Sequence, residues 1–449
     1  MDHPDLIYVI ADQWRAQDLG YAGNPEVHTP HLDTFAAEAV DCHLAVSASP
    51  VCTPARASLL TGLLPHRHRL VCNDVPLDPD LPSLGKSFAA AGYATAYVGK
   101  WHVDGHGRRS YIPRERRQGF QHFAVLECTH DYGNSRYYLD DDPEPKVWEG
   151  YDAEAQTRHA CHWLDAQAAD TPACLVLAWG PPHNPYQTAP EADRQRYTAA
   201  DLSLRGNVPE AIADRARADL AGYYAHCTAL DRCFAEVLAA VARRGRPAYV
   251  VFTSDHGDFI GSHGLWDKQG PWDEAIRIPL LIRGPGLPAG RNATVSNHSD
   301  HWPTLAALCG VAAPDGLDGR DLSVNLRTGT TPTDNASLVG AYHTFGNWPK
   351  FTGKVDPLFT ARVYRGLRTE RWLYCRDQDG PWLLYDLADD PYQERNRVRD
   401  PACAEVAARL DAGLDRHLAA HDDDFAADGI LTTRFGYGLG PGETMSTRG

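Results

Sequence analysis

The chain lacks a long apolar run, a basic leader, a Cys-x-x-Cys pair, an internal repeat and any low-complexity stretch. Each absence removes a class of protein. The N-terminal apolar run, Leu6 to Ala11, is far too short to cross a bilayer, and no basic or cleavable segment precedes it. Eleven scattered cysteines, an odd number, do not make a disulfide framework; the expectation is a reduced, cytoplasmic protein whose cysteines are mostly core residues. Positive charge is also scarce. Lys and Arg number 43 against 59 Asp and Glu, and the net charge of −16 disfavours nucleic acid or anionic membranes as partners. An anionic substrate therefore needs a local positive pocket. The densest basic segment, His106 to Arg117 (HGRRSYIPRERR), reads equally as part of such a pocket or as a solvated loop.

What is present is a globular composition: 449 residues, 43% hydrophobic, 10% aromatic and 23% charged. Short apolar runs alternate with helical patterns, which predicts an α/β fold with a large, mostly parallel sheet covered by helices. Leu6–Ala11, Ala94–Val98, Cys174–Trp179 and Ala248–Thr253 read as buried strands. Tyr224, Cys227, Leu230, Phe234, Val237, Leu238 and Val241 fall on one helical face, with Gly245 as the stop. Pro30–Val40 reads as a further helix. Each of the four strands runs into polar residues: Asp12 and Gln13, Lys100 and His102, His183 and Asn184, Asp255 and His256. Ligands of open α/β sheets bind beyond the carboxyl ends of the strands, so the four clusters should converge on one site.

Beyond about Asn335 the texture changes to antiparallel strands, Ser337–Tyr342, Ala361–Leu367, Trp372–Arg376 and Trp382–Tyr385, with Asp377–Gly380 as a hairpin turn. A helix from about Cys403 to Leu418 follows, and the stretch after Phe425 reads as an irregular arm or lid. The expected division is a catalytic domain over 1–334 and a smaller C-terminal α+β subdomain over 335–449.

The segment with the most chemistry is Val51-Cys52-Thr53-Pro54-Ala55-Arg56-Ala57-Ser58-Leu59-Leu60-Thr61-Gly62. Pro54 sits where a helix can begin and Gly62 where one would end. Cys52 then lies at a helix N-terminus, where the dipole favours an anionic centre, and Arg56 follows one turn later on the same face.

Cys-x-Pro-x-Arg followed by Leu-Leu-Thr-Gly resembles the signature of the type I sulfatases, in which the cysteine is oxidised to formylglycine. The resemblance extends along nearly the whole chain. Asp12-Gln13-Trp14-Arg15 looks like the family's first metal segment, and Thr253-Ser254-Asp255-His256-Gly257 like its second. Gly99-Lys100-Trp101-His102 and Pro182-His183-Asn184-Pro185 match two further elements, Lys268 falls at the sulfate-binding lysine, and Leu384-Tyr385-Asp386-Leu387 looks like the closing subdomain. The resemblance implies an alkaline phosphatase-like fold, a smaller C-terminal antiparallel-sheet subdomain and hydrolysis of a small-molecule or glycan sulfate ester. It implies a formylglycine-generating maturation enzyme as partner.

In the implied site, Asp12, Gln13, Asp255, His256 and the modified Cys52 hold one divalent metal, with calcium favoured by the oxygen donors and manganese the alternative. Arg56 stabilises the nucleophile, and Lys100 and Lys268 face sulfate oxygens. The hydrate of the aldehyde attacks sulfur, His183 protonates the leaving alcohol, and His102 takes the proton that releases sulfate. Read alone, either histidine fits better as a capped or core residue, and their placement at strand ends beside matched motif residues reverses this.

Two positions depart from the animal sulfatases: Gln13 replaces a second aspartate and His256 an asparagine. Both resemble bacterial branches that include the phosphonate monoester hydrolases, so hydrolysis of a phosphonate monoester or phosphodiester is the alternative activity. Asn73 resembles a pocket asparagine of that branch, or is a turn residue before Asp74. Asp104, His106 and Arg108, with the stretch Glu127–Tyr138, either line the leaving-group pocket or form a surface excursion. A binding protein with an unmodified thiol at Cys52 is the reading outside enzymes. Other motifs fail: Leu84-Gly85-Lys86-Ser87 lacks the first glycine of a phosphate loop, His66-Arg67-His68 reads as a surface loop, and Asp140–Asp142 and Asp422–Asp424 read as solvated charge.

Overall fold

A computed structural model describes residues 3–344 and 361–445. Its main sheet has ten strands. Five of them are parallel and adjacent, in the order Ala248–Ser254, Asp5–Asp12, Ala173–Pro182, Ala94–Lys100 and His122–Leu126. Antiparallel pairing begins at both sides, with Leu280–Arg283 beside Ala248–Ser254 and Arg136–Leu139 beside His122–Leu126. The central strands are unbroken apolar runs because both faces are covered. Leu6, Tyr8 and Ile10 enter one core, together with residues of the helices Cys52–Thr61, Leu84–Ala90 and His298–Cys309. Ile7, Val9 and Ala11 enter the other, under Asp152–Asp165 and Ala213–Arg244. The period of two between opposite faces is the pleat of the strand itself.

The long helix ends at Gly245, whose φ of 66° is the left-handed conformation that a C-cap glycine accepts without strain. The helix expected over Pro30–Val40 is shorter: it ends at Ala36, because Val40 pairs with Ile282 and Gly290 as a strand. All eleven cysteines are buried and unpaired, as a reduced core requires. Among the described residues no helix is long and apolar enough to cross a membrane.

A second, four-stranded antiparallel sheet is built from Ala336–Ala341, Tyr364–Thr369, Trp372–Asp377 and Gly380–Asp386. One face shares a core with Phe259, Trp272 and Ile276 of the main body, and the other buries Leu338, Leu367 and Leu384 against Leu410, Leu414 and Leu418 of the helix Ala404–Ala420. Over residues 426–445 the stretch after Phe425 is packed on the body through Ala426, Leu431 and Leu439. It contains the helix Ile430–Arg434, and its Leu439 belongs to the same apolar cluster as Leu70, Cys72 and Val75.

Two charge motifs differ from expectation for the same reason, a distant partner. His68 is buried at the end of a short helix whose Arg67 is exposed, and it meets the Ser58 hydroxyl at 3.1 Å. Asp423 is buried against Arg365, whose Nε donates to Oδ2 at 2.6 Å while its guanidinium lies 3.5 Å from the Tyr342 ring centroid. Removing one member of such a pair strands the other charge in the core. Arg365→Ala is therefore expected to lower unfolding free energy by about 3–5 kcal/mol in urea denaturation; a change below 1 kcal/mol, roughly the worth of an exposed pair, contradicts the assignment.

Candidate active site

Cys52 is the first residue of the helix Cys52–Thr61, after an extended Val51 cap, and Gly62 closes it at φ 65°. Every residue of this helix is buried, so its N-terminus is fixed by packing. Arg56, one turn on, donates from Nη2 to Asp12 Oδ2 (3.1 Å), from Nε to Asp255 Oδ2 (3.0 Å) and from Nη1 to the Lys100 carbonyl (3.0 Å). Lys100 Nζ reaches the same Asp12 oxygen at 2.5 Å. Three strand ends and the helix are thus tied through one guanidinium.

The other carboxylate oxygens face inward. His256 Nε2 lies 3.1 Å from Cys52 Sγ, 3.9 Å from Asp12 Oδ1 and 3.7 Å from Asp255 Oδ1. One donor atom from each of these four buried residues lies within 4.8 Å of the others. His256 Nδ1 donates to the Gly257 carbonyl at 2.9 Å, which leaves Nε2 as the ligating nitrogen. Two carboxylates and one imidazole with their lone pairs converging make a donor set that suits a divalent cation. Burial opposes ionisation of Asp12, but Lys100, His183, Arg56 and His256 hold its carboxyl well below the usual range. Burial and the neighbouring Asp12 push Asp255 the other way.

Above this cluster is a cavity of about 300 Å³ whose lining includes Cys52, Asn73, His102, Arg108, His183 and Lys268. Lys268 Nζ donates to Gln13 Oε1 (2.6 Å) and to His183 Nε2 (2.8 Å), while His183 Nδ1 donates to the Asn184 carbonyl (2.8 Å). The Gln13 amide donates its other end to Asp258 at 2.5 Å, so Gln13 bridges a lysine and a carboxylate. His102 Nε2 meets Asp74 Oδ1 at 3.3 Å. Asn73 Oδ1 caps the Thr53 backbone N–H at 3.0 Å, which joins it to the nucleophile helix.

Of the expected pocket residues, Asn73 and Arg108 line the cavity, and Asp104 and His106 do not. The Asp104 carboxylate is turned to Arg116 (2.7 Å), and His106 bonds the Asp104 carbonyl. The basic segment is mostly consumed locally, since Arg114 and Arg117 both pair with Asp141. Sequence reasoning missed Asp74 and Asp258, and covered His130 only as part of the stretch Glu127–Tyr138. His130 lines the cavity and stacks on His183, with centroids 4.4 Å apart and planes 7° from parallel. Asp74 and Asp258 each adjoin a recognised motif, but only the fold shows their partners.

The sequence profile of the sulfatase family matches residues 4–311. The chain belongs to the sulfatase family. Residues 261–420 also match the profile described as N-sulphoglucosamine sulphohydrolase, C-terminal. An ulvan-active sulfatase of Formosa agariphila is 39% identical over 97% of this chain and 85% of its own. The Bacteroides fragilis sulfatase YidJ superposes with a TM-score of 0.85 at 25% identity, covering 95% of this chain and 97% of that one. A protein solved in complex with its substrate D-glucosamine-2-N,6-O-disulfate shares the fold, with a TM-score of 0.78 at 21% identity over 94% and 99% of the two chains. This sulfatase is accordingly a sulfuric ester hydrolase, with the large mixed sheet and C-terminal antiparallel sheet of its structural relatives.

Gly99 shows how tightly the site is set. Its φ is 105°, and a Cβ there would lie 2.1 Å from the Ala178 carbonyl oxygen on the neighbouring strand. Gly99→Ala must therefore push apart the strands that carry Lys100 and His183. It is expected to cost at least about 1–3 kcal/mol of stability and to lower sulfate release by the folded fraction. Unchanged unfolding and turnover contradict this view of the strand pair.

Proposed function

We propose that this sulfatase hydrolyses a sulfate monoester carried on a carbohydrate, with Cys52 oxidised to formylglycine and a divalent ion, Ca²⁺ in preference to Mn²⁺. The observation that carries the reading is Lys268. It is 7% exposed and bonded only to the neutral Gln13 amide and the His183 ring, with no ion-pair partner among the described residues. Buried cations are normally paired, so the lysine calls for an anionic ligand beside Cys52. The relatives active on ulvan and on a glucosamine disulfate support a sulfated sugar as that ligand.

Asp12, Asp255 and His256 would hold the ion, with Gln13 beside them. When bound, the ion supplies Lewis acidity and the oxidised Cys52 supplies an oxygen nucleophile at neutral pH. Arg56 fixes both carboxylates from behind, so the inner oxygens keep their aim. Lys100 and Lys268 stand on two sides of Cys52, where they stabilise charge on the sulfate oxygens. His183 Nε2 accepts an N–H of Lys268 Nζ, so the proton this pair can pass on is the lysine's. When Lys268 turns to the sulfate, this pair is placed to protonate the departing alcohol oxygen. His102, whose ring lines the same cavity as Cys52 and whose carbonyl is tied to Thr53, would take a proton from the modified Cys52 side chain. Cys52 is 1% exposed, so a maturation enzyme must reach it before the helix packs.

Asn73 lines the cavity, and with Gln13 and His256 at the metal segments this favours phosphonate monoester hydrolysis as the second reading. Matured chain is to be assayed on sulfated mono- and disaccharides and on an aryl phosphonate monoester. The expected result is faster sulfate release, one aldehyde at Cys52 by peptide mass, and one bound ion per chain. Cys52→Ala should lower kcat by more than about 10⁴-fold. Retained sulfate release in that variant defeats the nucleophile assignment, and a phosphonate rate that exceeds the sulfate rate exchanges the two readings.

A further inference from the structure

The three histidines on the cavity wall are held differently. His183 is bonded to a lysine, His130 is stacked, and only His102 faces a carboxylate within hydrogen-bond distance. Asp74 and His102 both adopt left-handed backbone conformations, φ 64° and 57°, which non-glycine residues rarely take. Such strain persists only where surrounding structure over-determines it. Here the source is visible. Thr53, next to Cys52, donates its N–H to Asn73 Oδ1 (3.0 Å) and its hydroxyl to the His102 carbonyl (2.7 Å). The first turn of the nucleophile helix therefore holds both the Asp74 loop and His102 in register with Cys52.

Asp74 is itself clamped. Arg108 donates from Nε to Oδ1 (2.9 Å) and from Nη2 to Oδ2 (2.8 Å), a two-pronged grip that fixes the carboxylate plane. Oδ1 then has a second donor in His102 Nε2. With the proton on Nε2 directed to Asp74, Nδ1 becomes the basic nitrogen, and it makes no hydrogen bond among the described residues. A carboxylate in this position selects the tautomer and stabilises the imidazolium when the ring takes a proton.

We propose that Asp74 is a positioning residue for His102, and that Arg108 serves the reaction by clamping Asp74 rather than by binding the leaving group. This rests on the role given to His102 above. The ionisable groups facing the ring are Asp74, Cys128, Lys100 and Glu127. Burial and Lys100 disfavour the imidazolium, but Cys128 and the Asp74 hydrogen bond outweigh them and hold His102 well above its ordinary value.

The test is a double-variant cycle on matured, metal-loaded full chain with an aryl sulfate, with rates expressed per aldehyde-bearing chain. Asp74→Asn keeps the shape and removes the charge. It should lower kcat by about 10- to 100-fold with KM held. Because a base works deprotonated, losing a carboxylate that raises its pKa should move the acid limb of kcat to lower pH. Arg108→Ala should lower kcat in the parent and add nothing in the Asp74→Asn background, the non-additivity of residues acting through one group. An equal rise of KM in both backgrounds makes Arg108 a substrate contact and overturns the clamp. Should Asp74→Asn not fold, Asp74→Ser carries the same expectation. His102→Ala separates the levels: if it is inactive while the Asp74 variants keep full kcat and an unmoved pH limb, the positioning role alone fails. If it is fully active, the role of His102 in the proposed reaction fails first.

Discussion

Two carboxylates, Asp12 and Asp255, are buried side by side at the ends of adjacent parallel strands, and this single constraint organises the centre of the molecule. Neither can stay ionised alone in such a place. Arg56 spans both outer oxygens and Lys100 takes the second bond on Asp12. The asymmetry of that support appears in the two carboxyl groups, since Asp12 is driven toward ionisation and Asp255 away from it. With their outer oxygens occupied, the inner ones share a space with His256 and Cys52, that of Asp255 held there by the Gln13 and His256 backbone N–H groups. The arginine is thus a structural cation first. Its chemical value follows from what it prevents the carboxylates from doing.

The sheet explains why so few side chains suffice. Parallel strands deliver their carboxyl ends to one edge, and the chain must then turn sharply so that the next side chain points across the site. Gln13 and His102 make this turn through positive φ without being glycine, at 71° and 57°, and Asp267 and Gln269, which flank Lys268 in a later loop, take the same conformation at 65° and 87°. Each such residue costs of order 1–3 kcal/mol. The two apolar cores on either face of the sheet and the bonds from Arg56, Thr53 and Lys268 hold these conformations in place.

Much of this was legible in the chain. The four apolar runs and their polar terminations follow from a sheet covered on both faces, and the alternation after Asn335 follows from one whose strands divide their residues between two cores. What could not be read was burial that depends on a remote partner. Asp423 looks like one of three solvated aspartates until Arg365 arrives from 58 residues away. Asp74 looks like a turn residue until the fold brings His102 and Arg108 to it. Asp104 and His106 share a segment with Arg108, yet the chain carries their side chains away from the cavity. Sequence proximity places residues on one loop, and only tertiary packing chooses which of them face the cavity.

The replacement of a carboxylate by Gln13 acquires a meaning from this arrangement. A carboxylate at that position would neutralise Lys268, whereas the amide accepts its hydrogen bond at 2.6 Å and leaves its charge intact. Arg56 and Lys100 are balanced by Asp12 and Asp255, and Arg108 is balanced by Asp74. Among the described lysines and arginines that line the cavity, Lys268 alone has no carboxylate oxygen within ion-pair distance, and Asp12 and Asp267 support its charge only from farther off. A protein with a net charge of −16 thereby keeps a small positive site for its ligand. A sulfate monoester carries one negative charge, while a phosphate monoester carries about 1.5 to 2 near neutral pH. One lysine charge matches a singly charged ester, which a sulfate monoester and a phosphonate monoester both are, and undercompensates a phosphate monoester, so the amide at Gln13 bears on the charge of the ester the site accepts as much as on which ion it holds.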